Sequence, residues 1–180
     1  MEFTTIDIEG PLVIQPKVFG DHRGYFFESY SDRDFAKAGI NPNFVQDNQS
    51  LSNKGVLRGL HFQKPPFEQG KLVRVITGAV QDVIVDIRKN SPTYGNSFSI
   101  ELTEENKTML WIPPGFAHGF CTLEDNTIFS YKCTELYHPE VEDGLFYMDD
   151  AFDISWRLDN VQLSEKDKHY PPFTSFNSPF

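Results

Sequence analysis

Short strand-like segments, separated by turn residues, are the dominant pattern of this chain and limit its fold more than any other feature. Stretches such as "LVIQPKVF", "GYFFESY", "SFSIELT" and "TIFSYKCTELY" are separated by Gly, Pro, Asn and Asp. Alternation is clearest over residues 81–87, where Val83, Val85 and Ile87 share one face. The other face carries Asp82, Ile84 and Asp86. Many short strands at regular spacing predict an all-β fold, either a sandwich or a barrel.

Helical signals are weak and confined to two short segments. "SDRDFAKAG" begins with Ser31 or Asp32 as a candidate N-cap and ends at Gly39. "LSEKDKHY" carries Ser164 as a second candidate cap. Gly78, in "TGAV", stands between two long strand-like runs, and this arrangement predicts a β-hairpin.

Length, charge and cysteine content limit the function and the compartment. Without a repeat or a linker, we expect one domain over residues 1–180. The net charge of −10 argues against a nucleic acid polymer as partner, although a few local cations still suffice for a small anion. No signal peptide pattern is present, and no apolar run approaches the roughly 20 residues of a membrane span. Cys121 and Cys133 lack metal spacing, so we expect buried thiols and a cytoplasmic protein.

The segment "GVLRGLHFQ" combines apolar residues, which predict packing against a core, with a polar set that includes His61. On this segment alone, His61 is a core histidine, a metal ligand or a proton-transfer group. "WIPPGFAHGF" narrows the choice, because its Pro-x-Gly-x-x-His pattern, ending at His118, resembles the second motif of the cupin superfamily of jelly-roll barrels.

The first cupin motif is only partly matched by this chain. Its form is His-x-His, then a Glu, then six residues and a Gly, and the matching run here begins at His61. Gln63 stands in place of the second His, and Lys71 stands in place of the Glu. An ammonium group repels a divalent cation but suits an anionic substrate or an oxyanion that forms during reaction. We therefore expect no metal in this barrel.

An ordered series of segments resembles the dTDP-4-dehydrorhamnose 3,5-epimerase family over nearly the whole chain. The series is "FVQDNQS", "VLRGLHFQ", "GKLVRV", "DVIVDIR", "WIPPGFAHGF", "YKCT" and "LSEKD". The resemblance implies an all-β, cupin-type jelly-roll β-barrel with a few short helices. It implies inversion of carbons 3 and 5 of dTDP-4-dehydro-6-deoxy-D-glucose to give dTDP-4-dehydro-L-rhamnose, in dTDP-L-rhamnose biosynthesis. It also implies that the enzyme needs neither a metal nor an organic cofactor.

The implied reaction needs a base, an acid and a cation, and the resemblance supplies a residue for each. Both carbons flank a ketone, so loss of a proton gives an enolate and its return on the other face inverts the centre. By resemblance, His61 is the base and Asp167 is the carboxylate that orients it. Tyr131 matches the acid on the opposite face, and Lys71 matches the group that stabilises the enolate.

The resemblance also implies a set of substrate contacts and a homodimer. Arg23 and Arg58 match contacts to the nucleotide and the diphosphate, where bidentate Arg geometry suits phosphate oxygens. The other implied contacts are Glu28 with the thymine N–H, Gln46 and Asn48 with phosphate or sugar, Phe26 and Tyr137 with the base, and His118 with the sugar or its carbonyl. In this family the strand that carries the matches to Arg23 and Glu28 can cross to the partner subunit.

Other functions stay open at this point. One is a metal-dependent cupin enzyme, such as a dioxygenase or isomerase, against which the two substituted ligand positions count. Another is a sugar-binding cupin without activity, against which an opposed acid and base count. Related enzymes for antibiotic sugars stop after inverting one centre. His22, Tyr147 and Met148 depart from the usual family residues, which bears on packing and sugar specificity rather than on the reaction type.

Overall fold

Strands are the main regular secondary structure of the computed structural model, which describes residues 1–180. In chain order they are β1 (Glu2–Thr5), β2 (Leu12–Gln15), β3 (Phe19–Asp21), β4 (Gly24–Phe26), β5 (Gln46–Ser52), β6 (Leu57–Gln63), β7 (Lys71–Thr77), β8 (Ala79–Asp86), β9 (Ser97–Thr103), β10 (Met109–Ile112), β11 (Phe116–Thr122), β12 (Thr127–Cys133) and β13 (Glu142–Gly144). One α-helix, α1 (Asp32–Lys37), and single 3-10 turns at Asp150–Phe152, Asp167–His169 and Phe173–Ser175 complete the fold.

Two antiparallel sheets form the barrel. The six-stranded sheet has the order β1-β2-β10-β7-β12-β5, and the five-stranded sheet has the order β13-β6-β11-β8-β9. Strands β3 and β4 pair only with each other and form a separate hairpin. This architecture confirms the predicted all-β jelly-roll barrel with few short helices.

The main core lies between the two sheets. Val73 and Val75 of β7 pack with Val80 and Ile84 of β8, and Phe129 of β12 closes the cluster. Each of these apolar side chains is buried, and full burial of such a side chain stabilises a fold by about 1.5–3 kcal/mol. The inward faces of strands from both sheets therefore line one interior, and the position of a residue along its strand decides whether it reaches that interior.

The outer face of β8 is also covered, which explains why the whole strand is buried. Val83, Val85 and Ile87 share this outer face, as the alternation predicts, and pack against residues of the C-terminal segment. These residues are Ile154, Trp156, Phe173, Phe176 and Phe180. On the six-stranded sheet, Phe35 of α1 plays a similar part, because it packs against residues of β2, β7 and β10.

The local predictions had mixed outcomes. The helix predicted after Ser31 is confirmed as α1, whereas the second predicted helix is only the 3-10 turn at Asp167–His169. The Ser164 Oγ accepts a hydrogen bond from the Asp167 N–H at 3.2 Å, but the N-cap position of this turn is Lys166, so the predicted Ser164 cap is wrong. Both cysteines are free and buried, as expected. None of the helices has the length and the apolar character needed to cross a membrane.

The predicted hairpin at Gly78 is wrong. The strands on its two sides, β7 and β8, belong to different sheets and do not pair with each other. Gly78 has a φ of +80°, and a Cβ at this position would lie only 2.4 Å from the Thr127 Oγ1, so the turn requires glycine. The turn carries the chain from one sheet to the other, and the inward faces of β7 and β8 consequently meet across the interior.

Candidate active site

A polar cavity lies between the sheets beside the apolar core. Two adjoining spaces, of about 300 Å³ and 290 Å³, share His61, Lys71 and Tyr131 in their walls. His61 stands on β6 of the five-stranded sheet, whereas Lys71 and Tyr131 stand on β7 and β12 of the six-stranded sheet. The two sheets therefore supply opposite walls of the cavity.

Strand alternation explains why polar side chains reach this interior. Lys71 is two residues from Val73, and Tyr131 is two residues from Phe129, and both of those neighbours belong to the main core. His118 likewise lies on β11 two residues from Phe120 of the same core. The apolar core and the polar cavity thus occupy the same inward faces at different positions along the strands.

His61 and Asp167 form a hydrogen-bonded pair at the cavity wall. The His61 Nε2 lies 2.6 Å from the Asp167 Oδ1, and the Asp167 side chain is almost fully buried. Burial by itself raises the pKa of the Asp167 carboxyl, but His61, Ser164 and Lys166 together outweigh burial, so this pKa lies below its ordinary value. The ionised carboxylate accepts from Nε2–H, which leaves Nδ1 of His61 as the nitrogen that can take a proton.

Burial shifts the pKa values of Tyr131 and Lys71 in opposite directions. Burial raises the pKa of the Tyr131 phenol, and the charges of Cys133 and Glu142 raise it further against the effect of Arg58. The phenol is therefore neutral at neutral pH and is able to donate a proton. Burial lowers the pKa of the Lys71 ammonium, against the charges of Cys133, Glu142 and Asp82.

His118 is held by a second buried carboxylate. Its Nε2 lies 2.9 Å from the Asp82 Oδ2, and Asp82 is fully buried. The His118 ring lines the same space as Lys71 and Tyr131. Since Nε2 is engaged by Asp82, Nδ1 is the nitrogen of His118 that remains for a ligand.

Several of the predicted substrate contacts lie in the same cavity walls. Arg58 lines the space that holds His118, and its Nη2 donates to the Ser52 Oγ at 3.2 Å. Gln46, Asn48 and Tyr137 line the other space. The Gln46 side chain orders this region, because its Nε2 donates to the Asn48 Oδ1 at 3.0 Å and its Oε1 accepts from the Tyr137 N–H at 2.9 Å.

Three predicted contacts, Arg23, Phe26 and Glu28, are not brought to this cavity within the chain. Arg23 and Phe26 lie on the β3–β4 hairpin, and all three side chains are exposed. Arg23 pairs with Asp21 of the same hairpin, and two-thirds of Phe26 is exposed, at 66%. None of the three appears in the walls of the two spaces that contain His61.

Glu142 and Lys166 belong to the cavity walls but were missed by the sequence analysis. The Glu142 Oε2 accepts from the Tyr137 hydroxyl at 2.7 Å and from the Lys166 Nζ at 2.6 Å. Burial alone raises the pKa of Glu142, but these two donors bring it below its ordinary value. The only sequence signal for Lys166 was its position next to Asp167 in "LSEKD". Glu142 lies in an acidic stretch that matches no motif.

The polar atoms of the Gln63 side chain form hydrogen bonds with backbone groups of neighbouring loops. Its Nε2 donates to the carbonyls of Phe67, at 2.7 Å, and Leu136, at 3.1 Å, and its Oε1 accepts from the His138 N–H at 2.8 Å. The side chain is almost fully buried and has a partner for each polar atom. The structure contains no group of three or more His, Cys, Asp or Glu side chains arranged to hold a metal ion.

A histidine paired with a carboxylate on one wall, and a phenol and a lysine on the opposite wall, are side chains that suit the inversion of a carbon next to a carbonyl group. Fold and cavity together define an epimerase of the cupin class. A family model described as dTDP-4-dehydrorhamnose 3,5-epimerase matches residues 5–175. The chain belongs to the dTDP-4-dehydrorhamnose 3,5-epimerase family and is an isomerase with that activity.

Named relatives and a solved structure agree with this placement. The chain is 49% identical over 173 residues to the dTDP-4-dehydrorhamnose 3,5-epimerase of Methanothermobacter thermautotrophicus, covering 94% of this chain and 93% of the relative. It is 50% identical over 168 residues to that of Shigella flexneri, covering 93% of each. The crystal structure of dTDP-6-deoxy-D-glucose-3,5-epimerase from Legionella pneumophila, in complex with dTDP-4-keto-L-rhamnose, superposes with a TM-score of 0.94 at 46% identity, covering 98% of this chain and 94% of that one.

Proposed function

We propose that this chain inverts carbons 3 and 5 of dTDP-4-dehydro-6-deoxy-D-glucose through enolates, with His61 as base and Tyr131 as acid. The product is dTDP-4-dehydro-L-rhamnose, for dTDP-L-rhamnose biosynthesis. The observation that supports this best is the His61–Asp167 pair, at 2.6 Å, in a cavity whose opposite wall carries Tyr131 and Lys71.

Each step uses a side chain of this protein. The Nδ1 of His61 takes the proton from a carbon beside the ketone, and the buried Asp167 stabilises the imidazolium that results. Negative charge then develops on the ketone oxygen, where the Lys71 ammonium stabilises it and the free nitrogen of His118 is positioned to bond the sugar. Tyr131 returns a proton from the opposite face, which inverts the centre. No metal or organic cofactor enters this mechanism.

Incubation of the enzyme with the dTDP-ketosugar in deuterium oxide tests this function. We expect two solvent deuterons in the sugar ring by mass spectrometry, because both carbons flank the same ketone and one cation serves both enolates. One deuteron after long incubation would make the enzyme a mono-epimerase. No deuteron, with the dTDP-sugar bound, would leave only a binding function.

We further propose a homodimer in which the β3–β4 hairpin completes the partner's site. Within one chain Arg58, Gln46, Asn48 and Tyr137 lie in the cavity walls, whereas the predicted contacts on and after the hairpin lie elsewhere. The hairpin and the residue before it also expose large apolar side chains, which favours burial of this region against another subunit. These side chains are Val18, Phe19, Tyr25 and Phe26.

Arg23→Ala and Arg58→Ala are each expected to weaken dTDP binding by about 10- to 100-fold, because each removes charge-assisted hydrogen bonds to phosphate. Proton exchange in saturated enzyme is expected to change less. Arg33→Ala is the matched control, since Arg33 is an exposed arginine on α1 outside the cavity walls. Calorimetry with dTDP measures the affinities, and unchanged affinity in both variants would contradict the assignment.

Subunit mixing tests whether Arg23 acts across the dimer. At low substrate concentration, R23A and H61A proteins are each expected to be nearly inactive. If Arg23 serves the partner's cavity, joint refolding of the two restores activity, because a random equal mixture carries about one intact site in four. Failure to restore activity would place Arg23 in its own chain's site or outside any site.

A further inference from the structure

Gly144 leaves a space beside His61 that a side chain from a distant part of the sequence fills. It is the residue of β13 that lies directly opposite His61 of β6. Residues directly opposite each other in an antiparallel pair point to the same face, with Cβ atoms about 5 Å apart. A Cβ at Gly144 would lie only 2.6 Å from Cε2 and Cζ of Tyr170. Glycine at this position therefore admits the Tyr170 ring to the place next to the imidazole.

The Tyr170 ring packs against the imidazole of His61. The ring centroids are 5.6 Å apart and the ring planes are 64° apart, which is the edge-to-face arrangement that aromatic rings prefer. Burial and the charges of Glu142 and Asp167 raise the pKa of the Tyr170 phenol well above its ordinary value, so the phenol stays neutral. Tyr170 is absent from the walls of the two cavity spaces. It therefore contacts the proposed base without reaching the space that the substrate would occupy.

The segment that carries Tyr170 also carries Asp167. Tyr170 directly follows the 3-10 turn Asp167–His169 and has an extended backbone. Two prolines come next, and each has a φ fixed by its ring. The carbonyl of the first, Pro171, accepts a hydrogen bond from the Phe146 N–H at 3.1 Å, which ties the segment to the chain just after β13. Asp167 and Tyr170 thus reach His61 from one short segment with a fixed position.

A single hydrogen bond does not fix the orientation of an imidazole. The bond to Asp167 engages Nε2 but leaves the ring able to tilt about that atom, because the outer torsion of a histidine side chain has broad minima. A quarter of the His61 side chain is exposed, at 25%, so the core does not enclose it. Proton removal requires Nδ1 to lie close to the reacting atom and in line with it. A flat ring packed against the imidazole limits this tilt.

We propose that Tyr170 is a positioning residue whose ring, seated over Gly144, holds the His61 imidazole in the orientation that presents Nδ1 to the substrate carbon. This inference rests on the proposed function, in which His61 is the base. Tyr170 acts through His61 alone, and its ring rather than its hydroxyl makes the contact.

The test is the rate of deuterium exchange at saturating dTDP-ketosugar, measured together with dTDP affinity. Tyr170→Ala is expected to lower this rate by about 10- to 100-fold, the cost of a misplaced catalytic group. Affinity for dTDP is expected to stay within a few-fold of wild type, because Tyr170 does not line the cavity. Tyr170→Phe keeps the ring and is expected to restore the rate to within a few-fold of wild type.

Tyr94→Ala is the matched control for lost packing. The Tyr94 ring also packs on the C-terminal segment, with its centroid 5.0 Å from that of Phe173, but it lies outside the walls of both cavity spaces. This control is expected to lower the melting temperature without slowing exchange. If Y170A does not fold, Y170L replaces it, since leucine keeps apolar packing over Gly144 but has no flat ring.

An H61A background separates positioning from a general effect of the substitution. Because Tyr170 acts only through His61, Y170A is expected to leave the residual exchange of H61A unchanged. A full rate in folded Y170A, an equal loss in Y170F, or an equal slowing with and without His61 would overturn the inference. Failure of the proposed function has a different signature, because wild-type enzyme would show no exchange, or H61A would exchange as fast as wild type.

Discussion

His61→Ala is expected to lower proton exchange at carbons 3 and 5 together by about 1,000-fold or more, while dTDP affinity stays within a few-fold of wild type. The reason is that His61 holds the nitrogen available to take the proton, and its ring is only partly buried, so its removal leaves the apolar core intact. Mass spectrometry in deuterium oxide measures exchange, and calorimetry with dTDP measures binding.

Two comparisons make this result specific. His169→Ala removes an exposed histidine from the same 3-10 turn that carries Asp167 and is expected to leave exchange unchanged. Asp167→Asn keeps the shape of the partner but removes the charge that stabilises the imidazolium, so it is expected to slow exchange without abolishing it. A collapse of dTDP binding in H61A would mean that His61 is a structural residue.

Tyr131→Phe is expected to separate removal of the proton from its return. Deuterium still enters the sugar through His61, but inverted product is expected to fall by about 100-fold, because the opposite face has lost its donor. The proposed donor role requires a neutral phenol, which burial favours by raising the pKa of Tyr131. Mass spectrometry follows the label, and NMR coupling constants of the ring protons report the configuration.

Tyr170→Phe provides the matched control. Tyr170 packs edge-on against His61, with ring centroids 5.6 Å apart, and burial raises its pKa well above the ordinary value. It lies on the His61 side of the cavity, so loss of its hydroxyl is expected to keep exchange and inversion coupled. If Y131F lost exchange and inversion in equal measure, Tyr131 would serve removal of the proton, and the opposed-acid assignment would be wrong.

The strands were predictable from the sequence because alternation is a local signal. Strand β8 shows the limit of such a signal. The shared face of Val83, Val85 and Ile87 was correct, but the turn at Gly78 was misjudged as a hairpin. A glycine turn between two strands has the same local signature whether the strands pair or belong to different sheets. Only the long-range pairing of β7 with β12 and of β8 with β11 decides between them.

The candidate site was predictable only where a motif marked it. His61 and Asp167 are 106 residues apart in the sequence. Their pairing was predicted from the family resemblance alone, because spacing over such a distance carries no structural signal. Glu142 was not predicted as a site residue, because its place in the cavity depends on hydrogen bonds with Tyr137 and Lys166 that no sequence pattern indicates. Arg23 shows another limit, because its proposed role is in the partner's cavity, whereas within its own chain it pairs with Asp21 and contacts no part of the cavity.

The three hydrogen bonds of Gln63 bear on what a histidine at this position would do to the surrounding loops. Cupins with a metal have a histidine at this position, and an imidazole offers no means of holding the Phe67 and Leu136 carbonyls and the His138 N–H at once. Each such bond contributes about 1 kcal/mol to stability. A metal ligand at position 63 would therefore leave the loops that carry Phe67, Leu136 and His138 without these bonds, so a metal site here would require changes in those loops as well as in the ligands.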